Sequence, residues 1–387
     1  MRKRIRGRHL VFVALVALVG ALVAPAVGVS KSASGLPTSI GKGEGTLTLV
    51  AWQGYTEAAW VKPFEKQTGC KVSPKYAGSS DEMVSLMRSG GGGQYDMVSA
   101  SGDASLRLIY GGDLAPVNVK LVPAWNNFFA AFKNPTTNTV KGVHYGISLQ
   151  FGPNILLYNT KKEKKPTSWS VIYDPKNKGK ITIPNNPIQI ADAALYLSKT
   201  QPSLGITDPY ELTQTQFDAA IKLLKAQHPL IKKYWGTATD QTDLFKNGAS
   251  TLGASWPYML SQLLAAKSPV AGVIPKEGAT GWLDTWMLSS KAKHPNCAYK
   301  WWNYISSPKG QAMQATSYGE TPVNSKACPF MDKLSKGSCA VYKANAPDTY
   351  YRSLKYWKTP LADCGNGKKD CVPYTKWVTA WTSQVLG

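Results

Sequence analysis

The chain has 387 residues, a length that favours two domains or one large body with two lobes. Its formal net charge is +22, with only 23 acidic residues, which suits a protein that works beside anionic envelope polymers or a membrane surface. The absence of a long basic run, of a zinc-finger signature and of an RNA-binding signature argues against nucleic acid as a partner.

The first 26 residues have the pattern of a signal peptide. Basic residues fill the first positions, an apolar run covers 10–23, and the small-residue sequence Ala24-Pro25-Ala26 follows. An apolar run of about 14 residues is short for a membrane-spanning helix, although an uncleaved anchor is the alternative. No cysteine follows this run before Cys70, so the usual lipoprotein attachment site is missing. We therefore expect an exported protein, either extracellular, periplasmic or held at the cell envelope.

Residues 27–45 are small, polar and glycine-rich, and they predict a flexible tether. Strands and helices then alternate, which predicts a parallel sheet covered by helices. The strands are predicted at 46–51, 71–76 and 95–100, and the helices at 56–67, 81–88 and 104–110. Ligands in such sheets bind at the carboxyl ends of the strands, so 52–55 and 99–101 are candidate site segments.

A second series of elements begins after residue 148 and is also of mixed type. Its strands are predicted at 155–158, 179–184, 250–256 and 282–288, and its helices at 168–172, 192–198, 216–226 and 298–306. A turn is predicted at 317–322. The whole chain is therefore predicted to be α/β, without an internal repeat.

One stretch of this second series, Gly281-Trp-Leu-Asp-Thr-Trp286, places a carboxylate between two indoles. In a strand, the side chains of Trp282, Asp284 and Trp286 would share one face. A buried carboxylate needs a cation or several hydrogen-bond donors, and indole faces attract cations, so the stretch suits an ammonium ligand. The alternative is that the tryptophans pack a core while Asp284 caps a turn.

Six cysteines in an exported chain favour disulfide bonds. The short spacings suggest two pairs and leave a third: Cys328 with Cys339, Cys364 with Cys371, and Cys70 with Cys297. None of these spacings is typical of a zinc site, and none of the four histidines has another metal ligand at a suitable distance in the sequence. We therefore expect no metal.

Several short motifs follow one another in a recognisable order. They are Trp52-x-x-Tyr55, Tyr95-Asp96 with Ser101, Tyr145-Gly146, Tyr158-Asn159, Ser168-Trp169, Gly179-Lys180, Gly253-x-x-Trp256, Trp282-x-Asp284 and Tyr318-x-x-Thr-Pro322. In this order the chain resembles the bacterial extracellular solute-binding proteins of ABC importers, and among them the spermidine- and putrescine-binding branch. The resemblance covers residues 46–325 and weakens over the cysteine-rich tail.

The resemblance implies an α/β fold of the type II periplasmic-binding-protein kind, with a ligand cleft between two lobes joined by hinge strands. The chain would cross between the lobes near 148–152 and return near 281. The first lobe would comprise 46–149 and 282–325, and the second lobe 150–281 and 326–387. Cys70 and Cys297 would then lie in the same lobe, which agrees with pairing them.

The resemblance also implies which residues bind the ligand. In the first lobe, Trp52 and Tyr55 would line the pocket and Ser101 would offer a hydroxyl. Trp282 would pack along the ligand, Asp284 would bind an amine, and Tyr318 would close the far side. These side chains suit an aliphatic diamine, since its methylenes need flat apolar walls and its ends need charged acceptors.

In the second lobe, Trp256 would supply an apolar wall. Polyamine binders usually carry acidic residues just after the strand that matches 180–184, where this chain has Asn186 and Gln189. We expect these two amides to contact the ligand, with cap residues of a helix as the alternative. Because Asp284 is then the only carboxylate assigned, a monoamine, a zwitterion and a short diamine all remain open.

The function implied by the resemblance is that of the extracellular binding component of an ABC importer. It would capture a small amine, such as putrescine, spermidine or an amino acid derivative, and deliver it to a membrane permease as a monomer without a cofactor. We do not expect an enzyme, because the sequence shows neither paired glycosidase carboxylates nor a nucleophile elbow. The alternatives are an adhesive or anchoring protein of the cell envelope and a receptor for an uncharged or zwitterionic solute.

Overall fold

The computed structural model describes residues 35–364 and 367–387. The predicted signal peptide and the first part of the predicted tether lie outside these residues. In the described part of the chain, no helix combines the length and the apolar character that crossing a membrane requires.

Strands of the described residues form two large sheets and one small one. In chain order the strands are β1 (Thr46–Ala51), β2 (Lys71–Tyr76), β3 (Met97–Ala100), β4 (Thr139–Val140), β5 (Val143–His144), β6 (Gly146–Pro153), β7 (Ile155–Asn159), β8 (Ile181–Pro184), β9 (Ile231–Trp235), β10 (Leu252–Ser255), β11 (Val270–Val273), β12 (Thr280–Leu288), β13 (Thr321–Pro322) and β14 (Lys355–Tyr356).

Helices cover both large sheets. They are α1 (Ala58–Thr68), α2 (Ser80–Arg88), α3 (Gly102–Tyr110), α4 (Ala130–Lys133), α5 (Gln189–Thr200), α6 (Gln214–Gln227), α7 (Ala238–Lys246), α8 (Pro257–Ala265), α9 (Pro295–Ile305), α10 (Pro308–Tyr318), α11 (Cys328–Leu334), α12 (Ser338–Val341), α13 (Asp348–Ser353) and α14 (Tyr374–Ala380). Most predicted elements are present within a few residues of their predicted bounds. The predicted helix at 168–172 is a short 3-10 turn, Trp169–Ile172.

The first sheet has the order β13-β6-β12-β3-β1-β2, and β14 pairs with the beginning of β12. Strands β1, β2 and β3 are parallel, as the alternating pattern predicts, whereas β12 runs antiparallel to β3 and β6. The carboxyl ends of β1 and β3 therefore meet at one edge of the sheet. That edge carries the segments that follow Ala51 and Ala100.

The second sheet has the order β11-β7-β10-β8-β9. The chain passes into it at Asn154, between β6 and β7, and returns to the first sheet at Thr280, where β12 begins. The first crossing thus lies just after the predicted range of 148–152, and the return lies where it is expected. The two sheets, with the helices that cover them, are the two lobes of an α/β fold, and two adjacent crossings form their hinge.

The core of each lobe is continuous and largely apolar. In the first lobe, Trp60 and Phe64 of α1 pack with Trp301 and Trp302 of α9 against the strands. In the second lobe, α5 and α6 bury alanine, leucine and isoleucine side chains against β8 and β10. Nearly every residue of β6, β7 and β12 is buried, as expected for strands covered on both faces, although β6 alternates apolar and polar residues along Ile147–Phe151.

The tail after residue 325 divides between the lobes. Tyr351 of α13 is fully buried in the core of the first lobe, and Met331 of α11 packs against α10 in the same lobe. In the described residues after Trp357, Trp377 and Trp381 join the core of the second lobe, while Thr359 and Tyr374 also donate hydrogen bonds to Asp103 and Asp81 of the first lobe. The assignment of the whole tail to the second lobe is therefore wrong for its first half, because its aromatic residues fill a gap in the first lobe.

The described part of the predicted tether is packed and not loose. Glu44 lies at the beginning of α9, and its carboxylate accepts hydrogen bonds from the backbone N–H groups of Asn296 and Cys297 at 2.8 and 2.9 Å. A carboxylate is stabilised there by the free N–H groups and by the helix dipole. Gly41 N–H donates to Asn296 Oδ1 at 2.7 Å. Composition alone predicted flexibility because these partners are distant in sequence.

All six cysteines are paired. The disulfides join Cys70 to Cys297, Cys328 to Cys339 and Cys364 to Cys371, as the spacings suggested. The first of them ties the end of α1 to the beginning of α9 within the first lobe. A cluster of Cys328, Asp332 and Cys339 has the spacing of a metal site, but its two sulfur atoms are already bonded to each other.

Candidate ligand-binding cleft

A cavity of about 360 Å³ lies between the two lobes at the carboxyl ends of β1 and β3. Its size is that of a small-molecule site. Side chains from both lobes line it, so a molecule inside would contact both. Seven of the nine residues predicted to bind ligand line this cavity: Trp52, Tyr55, Ser101, Trp256, Trp282, Asp284 and Tyr318.

The other two predicted residues, Asn186 and Gln189, do not line it. Asn186 Oδ1 accepts a hydrogen bond from the backbone N–H of Ile188 at 3.0 Å and stabilises the turn before α5. Gln189 begins α5 and is buried beside Asp192 in a separate, much smaller cavity. The structure therefore supports the cap alternative for Asn186 and gives both amides a place in the second lobe's framework.

Asp284 lies near the middle of β12, at the floor of the cavity. The register between β12 and β6 shifts between Leu283 and Thr285, so that Asp284 on β12 faces two residues of β6, Leu149 and Gln150, at a local irregularity of the β-bulge kind. The hydroxyl of Tyr55 donates to Asp284 Oδ2 at 2.5 Å, and the hydroxyl of Ser101 donates to Oδ1 at 2.5 Å. Two short hydrogen bonds from neutral donors thus fix the carboxyl group.

No basic side chain contacts Asp284 among the described residues, and its own exposure is 1%. Burial disfavours the charged form and raises the pKa of Asp284 to about 7, against the opposing effect of the Ser101 and Tyr55 hydrogen bonds. Asp103 lies nearby and adds a smaller increase by charge repulsion. A cation placed in the cavity would therefore stabilise the charged form of Asp284.

A second buried carboxyl group, Glu320, also lines the cavity and was missed in the sequence. It follows Gly319, whose φ of 75° ends α10 and turns the chain back toward β13. Glu320 is 4% exposed, and its Oε2 atom has no hydrogen-bond partner. Burial, and then repulsion from Asp284, raise the pKa of Glu320 well above its usual value. The motif Tyr318-x-x-Thr-Pro322 already contained this residue, as one of its unassigned positions.

Aromatic side chains form the walls. Trp256 of the second lobe lies 5.8 Å from Trp52 and 5.6 Å from Trp282, measured between ring centroids. Trp357, from the tail, lies 5.8 Å from Trp282. Its position depends on β14, which pairs with β12, and on a 2.6 Å hydrogen bond from its backbone N–H to the carbonyl of Gly281. No local pattern in the tail indicates this contact.

Trp286 does not line the cavity, although it follows Asp284 by two residues. Its ring is fully buried in the first lobe, 5.7 Å from Trp301 and 6.4 Å from Tyr55. It therefore supports Tyr55, which in turn donates to Asp284. For Trp286 the core interpretation of the Trp-Asp-Trp stretch is correct, whereas Trp282 and Asp284 face the cavity.

Tyr318 is the last residue of α10, where the sequence had predicted a turn. Its hydroxyl donates to the carbonyl of Gly54 at 2.6 Å, and its ring stacks on Tyr55 with 5.0 Å between centroids. Tyr258 of α8 approaches it from the second lobe at 6.2 Å. These contacts close one end of the cavity.

Charged residues in the cavity lining are all acidic. Among the described residues that line it, Glu82, Asp284 and Glu320 carry carboxyl groups, and none is lysine, arginine or histidine. The beginning of α7 also borders the cavity, but Asp240 already accepts from the backbone N–H groups of Gly236 and Thr237 at 3.2 and 3.1 Å. The lining thus carries three carboxyl groups and no basic side chain among the described residues, and the indole N–H groups of Trp52, Trp256 and Trp357 are its buried donors without a partner.

Comparison with known proteins places the chain in a family. A model of the family "Bacterial extracellular solute-binding protein" matches residues 59–337. Among relatives by sequence, a putrescine/cadaverine-binding protein of Pseudomonas aeruginosa is 27% identical over 316 residues, covering 76% of this chain and 84% of the relative. A spermidine/putrescine-binding periplasmic protein of Haemophilus influenzae is 22% identical, covering 82% and 85%.

Solved structures share the fold at lower sequence identity. A putative spermidine/putrescine ABC transporter protein from Listeria monocytogenes gives a TM-score of 0.72 at 19% identity, covering 87% of this chain and 98% of that chain. A binding protein from A. tumefaciens B6 in complex with glucopine gives a TM-score of 0.68 at 18% identity, covering 88% of this chain and 100% of that chain. Another neighbour, from Actinobacillus pleuropneumoniae, holds fructose-6-phosphate, so the fold does not select the ligand. The family model matches most of the length of this chain, which shows that the chain belongs to the bacterial extracellular solute-binding proteins.

Proposed function

We propose that the protein is the extracellular binding component of an ABC importer and that it captures a small aliphatic amine with two cationic ends, such as putrescine, cadaverine or spermidine. The relatives named above bind polyamines, and the cavity has the chemistry that such ligands need. The observation that carries the proposal is the charge of the lining. A chain with a net charge of +22 encloses a cavity with three carboxyl groups and no basic side chain among the described lining residues.

A diamine would use both parts of this lining. Ammonium groups form their strongest hydrogen bonds with carboxylates, and Asp284 keeps free lone pairs after accepting from Tyr55 and Ser101. The methylenes would lie between the indoles of Trp52, Trp256 and Trp282, whose faces also attract cations. A sugar phosphate or a carboxylate-rich ligand would meet three acidic groups without a compensating cation, which disfavours anionic ligands.

Ligand capture would couple to closure of the lobes. Tyr55 and Asp284 come from the first lobe, and Trp256 and Tyr258 come from the second, so a bound amine contacts both only when the cleft is closed. A ligand with such differential contacts raises the population of the closed form. We further propose that the closed form docks on a membrane permease after export through a cleaved signal peptide.

The proposal is tested by a thermal-shift panel on residues 27–387 with putrescine, spermidine, γ-aminobutyrate, a basic amino acid, choline and several sugars. A ligand present at 100 times its dissociation constant should stabilise the protein by about 2.7 kcal/mol. We expect a shift with the diamines and none with the sugars. A shift with sugars alone would contradict the proposal. So would the absence of a shift with every compound in the panel.

Retention at the cell surface is a separate proposal, motivated by the basic charge. Many of the exposed side chains are lysines, which anionic envelope polymers would attract. Since salt screens such attraction, high salt should release the protein from intact cells. Retention in high salt would indicate another kind of attachment.

A further inference from the structure

We infer that Glu320 is a second acceptor for the charged end of the ligand, and that Asp284 and Glu320 hold a proton between them which an incoming ammonium group replaces. The inference rests on the proposed function, because it concerns the same cavity. It adds a specificity-determining residue and a coupling between amine binding and proton release.

The geometry begins with Tyr55. Its hydroxyl donates a hydrogen bond to Asp284 Oδ2. The same hydroxyl and the indole of Trp282 also favour the charged form of the Glu320 carboxyl group. Tyr55, Asp284 and Glu320 all line the same cavity. Both carboxyl groups are nearly inaccessible to solvent, at 1% and 4%. Two carboxylates buried in one cavity of low polarity repel each other, so both are charged only when a cation is present.

One oxygen atom of the two carboxyl groups has no hydrogen-bond donor. Asp284 accepts one hydrogen bond at each oxygen, whereas Glu320 Oε2 is buried and unpartnered although its residue lines the cavity. A buried acceptor without a donor is costly, so it marks a position that a ligand N–H group would satisfy. An ammonium group carries three donors and can reach two carboxyl groups at once.

Other titratable groups around the pair do not supply the missing charge. Tyr55 and Tyr318 are neutral at physiological pH, because burial raises the pKa of each hydroxyl well above its usual range. Asp103 on α3 and Glu57 before α1 add further negative charge to the region. The nearest cation in these interactions, Arg107, faces Asp103 and forms an ion pair with Asp81.

The exchange conserves charge. In the empty cavity the pair holds one proton and one negative charge, and burial places the pKa of Asp284 at about 7 and that of Glu320 well above its usual value. We assign the proton to Glu320, because its Oε2 atom has no hydrogen-bond donor, whereas both oxygens of Asp284 accept hydrogen bonds. When an ammonium group binds, Glu320 transfers its proton to solvent, and the two carboxylates then share one ligand cation and leave one negative charge as before.

The experiment is calorimetric titration of the full mature protein with putrescine at pH 8, in two buffers that differ in ionisation enthalpy. The difference between the observed enthalpies gives the number of protons released. We expect close to one proton per ligand for the natural protein at pH 8, and only about a tenth of a proton for Glu320→Gln, in which Asp284, with a pKa of about 7, is mostly ionised. Above pH 8, putrescine affinity should rise by up to tenfold per pH unit in the natural protein and change little in Glu320→Gln.

Glu65→Gln is the matched control, since Glu65 lies on α1, outside the cavity lining, where it pairs with Lys71. It should release the same proton as the natural protein. Tight putrescine binding without proton release, or the same release from Glu320→Gln, would overturn this inference and leave the proposed function intact. Failure of the natural protein to bind any diamine would overturn both. Far-ultraviolet circular dichroism of Glu320→Gln verifies that the variant is folded.

Discussion

The backbone N–H of Asn154 donates to the carbonyl of Thr280 at 2.8 Å, and these two residues mark the points where the chain passes between the sheets. The Asn154 side chain also donates to Thr280 Oγ1 at 2.8 Å. Asp192 of α5 accepts hydrogen bonds from both side chains. One carboxyl group of the second lobe thus holds the two crossings side by side, so the lobes can rotate about a fixed pair of strands.

Removal of the Asn154 side chain should weaken this hinge. Asn154→Ala removes the amide donor that reaches both oxygens of Asp192, while Thr280 still donates to Oδ1, and loss of a donor to a buried carboxylate costs about 1–3 kcal/mol. We expect that loss in the free energy of unfolding at pH 8, measured with urea. Burial raises the pKa of Asp192 to about 6, so the loss should be smaller at pH 5, where the group is protonated.

The control for the hinge is Asn247→Ala. Asn247 is exposed, and its side chain accepts only from the backbone N–H of Ala249. This substitution should change stability by less than about 0.5 kcal/mol. Equal losses in the two variants would show that the Asn154–Asp192 contact contributes no more to the free energy of unfolding than an exposed hydrogen bond does.

Asp284→Asn should weaken binding of a diamine by about 2–3 kcal/mol, because a charge-assisted hydrogen bond becomes a neutral one. Calorimetry at pH 8 measures the change. Asp243→Asn is the matched control, since Asp243 is exposed on α7 and pairs with Lys246 at 3.8 Å. Unchanged affinity of Asp284→Asn would remove Asp284 from the ligand contacts.

The same Asp284→Asn substitution should stabilise the empty protein at pH 8. The carboxyl group has a pKa near 3.9 when unfolded and about 7 in the folded protein, since burial disfavours its charge. Below pH 4 the group is protonated in both states and does not lower the free energy of unfolding of the unliganded protein. As the pH rises from 4 toward 7, that free energy falls. Urea unfolding should show the variant more stable than the natural protein at pH 8 and similar at pH 4. A constant difference between the two pH values would contradict this account.

Gly78→Ala should hinder closure of the lobes. A Cβ atom at Gly78 would lie 2.8 Å from the carbonyl oxygen of Gly236, which belongs to the second lobe. We expect weaker diamine binding, by tenfold or about 1.4 kcal/mol, and a larger radius of gyration by small-angle scattering with ligand. Gly236→Ala should have less effect, because its added carbon would meet only Asp240 Oδ2, at 3.8 Å.

Loss of the Cys70–Cys297 disulfide should lower the free energy of unfolding by about 2–4 kcal/mol, measured on a double serine variant. The bond joins residues separated by 227 positions, and its entropic effect on the unfolded chain grows with that separation. Loss of Cys364–Cys371, which closes a separation of 7, should cost less. Titration of the unfolded, unreduced protein should detect no free thiols, and six would contradict all three pairings.

Local signals in the sequence were sufficient for most elements and for the segments at the strand ends, whereas the choice of Trp256 and Tyr318 depended on the family resemblance. Apolar strands followed by polar or aromatic turns identified 52–55 and 99–101 as site segments, because parallel strands end at a common edge. The Trp-x-Asp pattern identified Trp282 and Asp284. Not every acidic residue in a motif binds ligand, however. Asp96 accepts from the backbone N–H groups of Thr48, Lys293 and His294 and holds the first lobe together.

The rest was decided by contacts between residues far apart in sequence. Glu320 becomes a cavity residue because Gly319 turns the chain at the end of α10, and Trp357 because β14 adds to β12. Asn186 and Gln189 were assigned to the cleft because the resemblance places acidic ligand-binding residues there, but in the structure they belong to the framework of the second lobe. Sequence determined which segments form strands, helices and binding turns, since those depend on local periodicity and chemistry. Only the tertiary structure decided how two buried carboxyl groups came to share one cavity, because their energies depend on burial and on each other's charge.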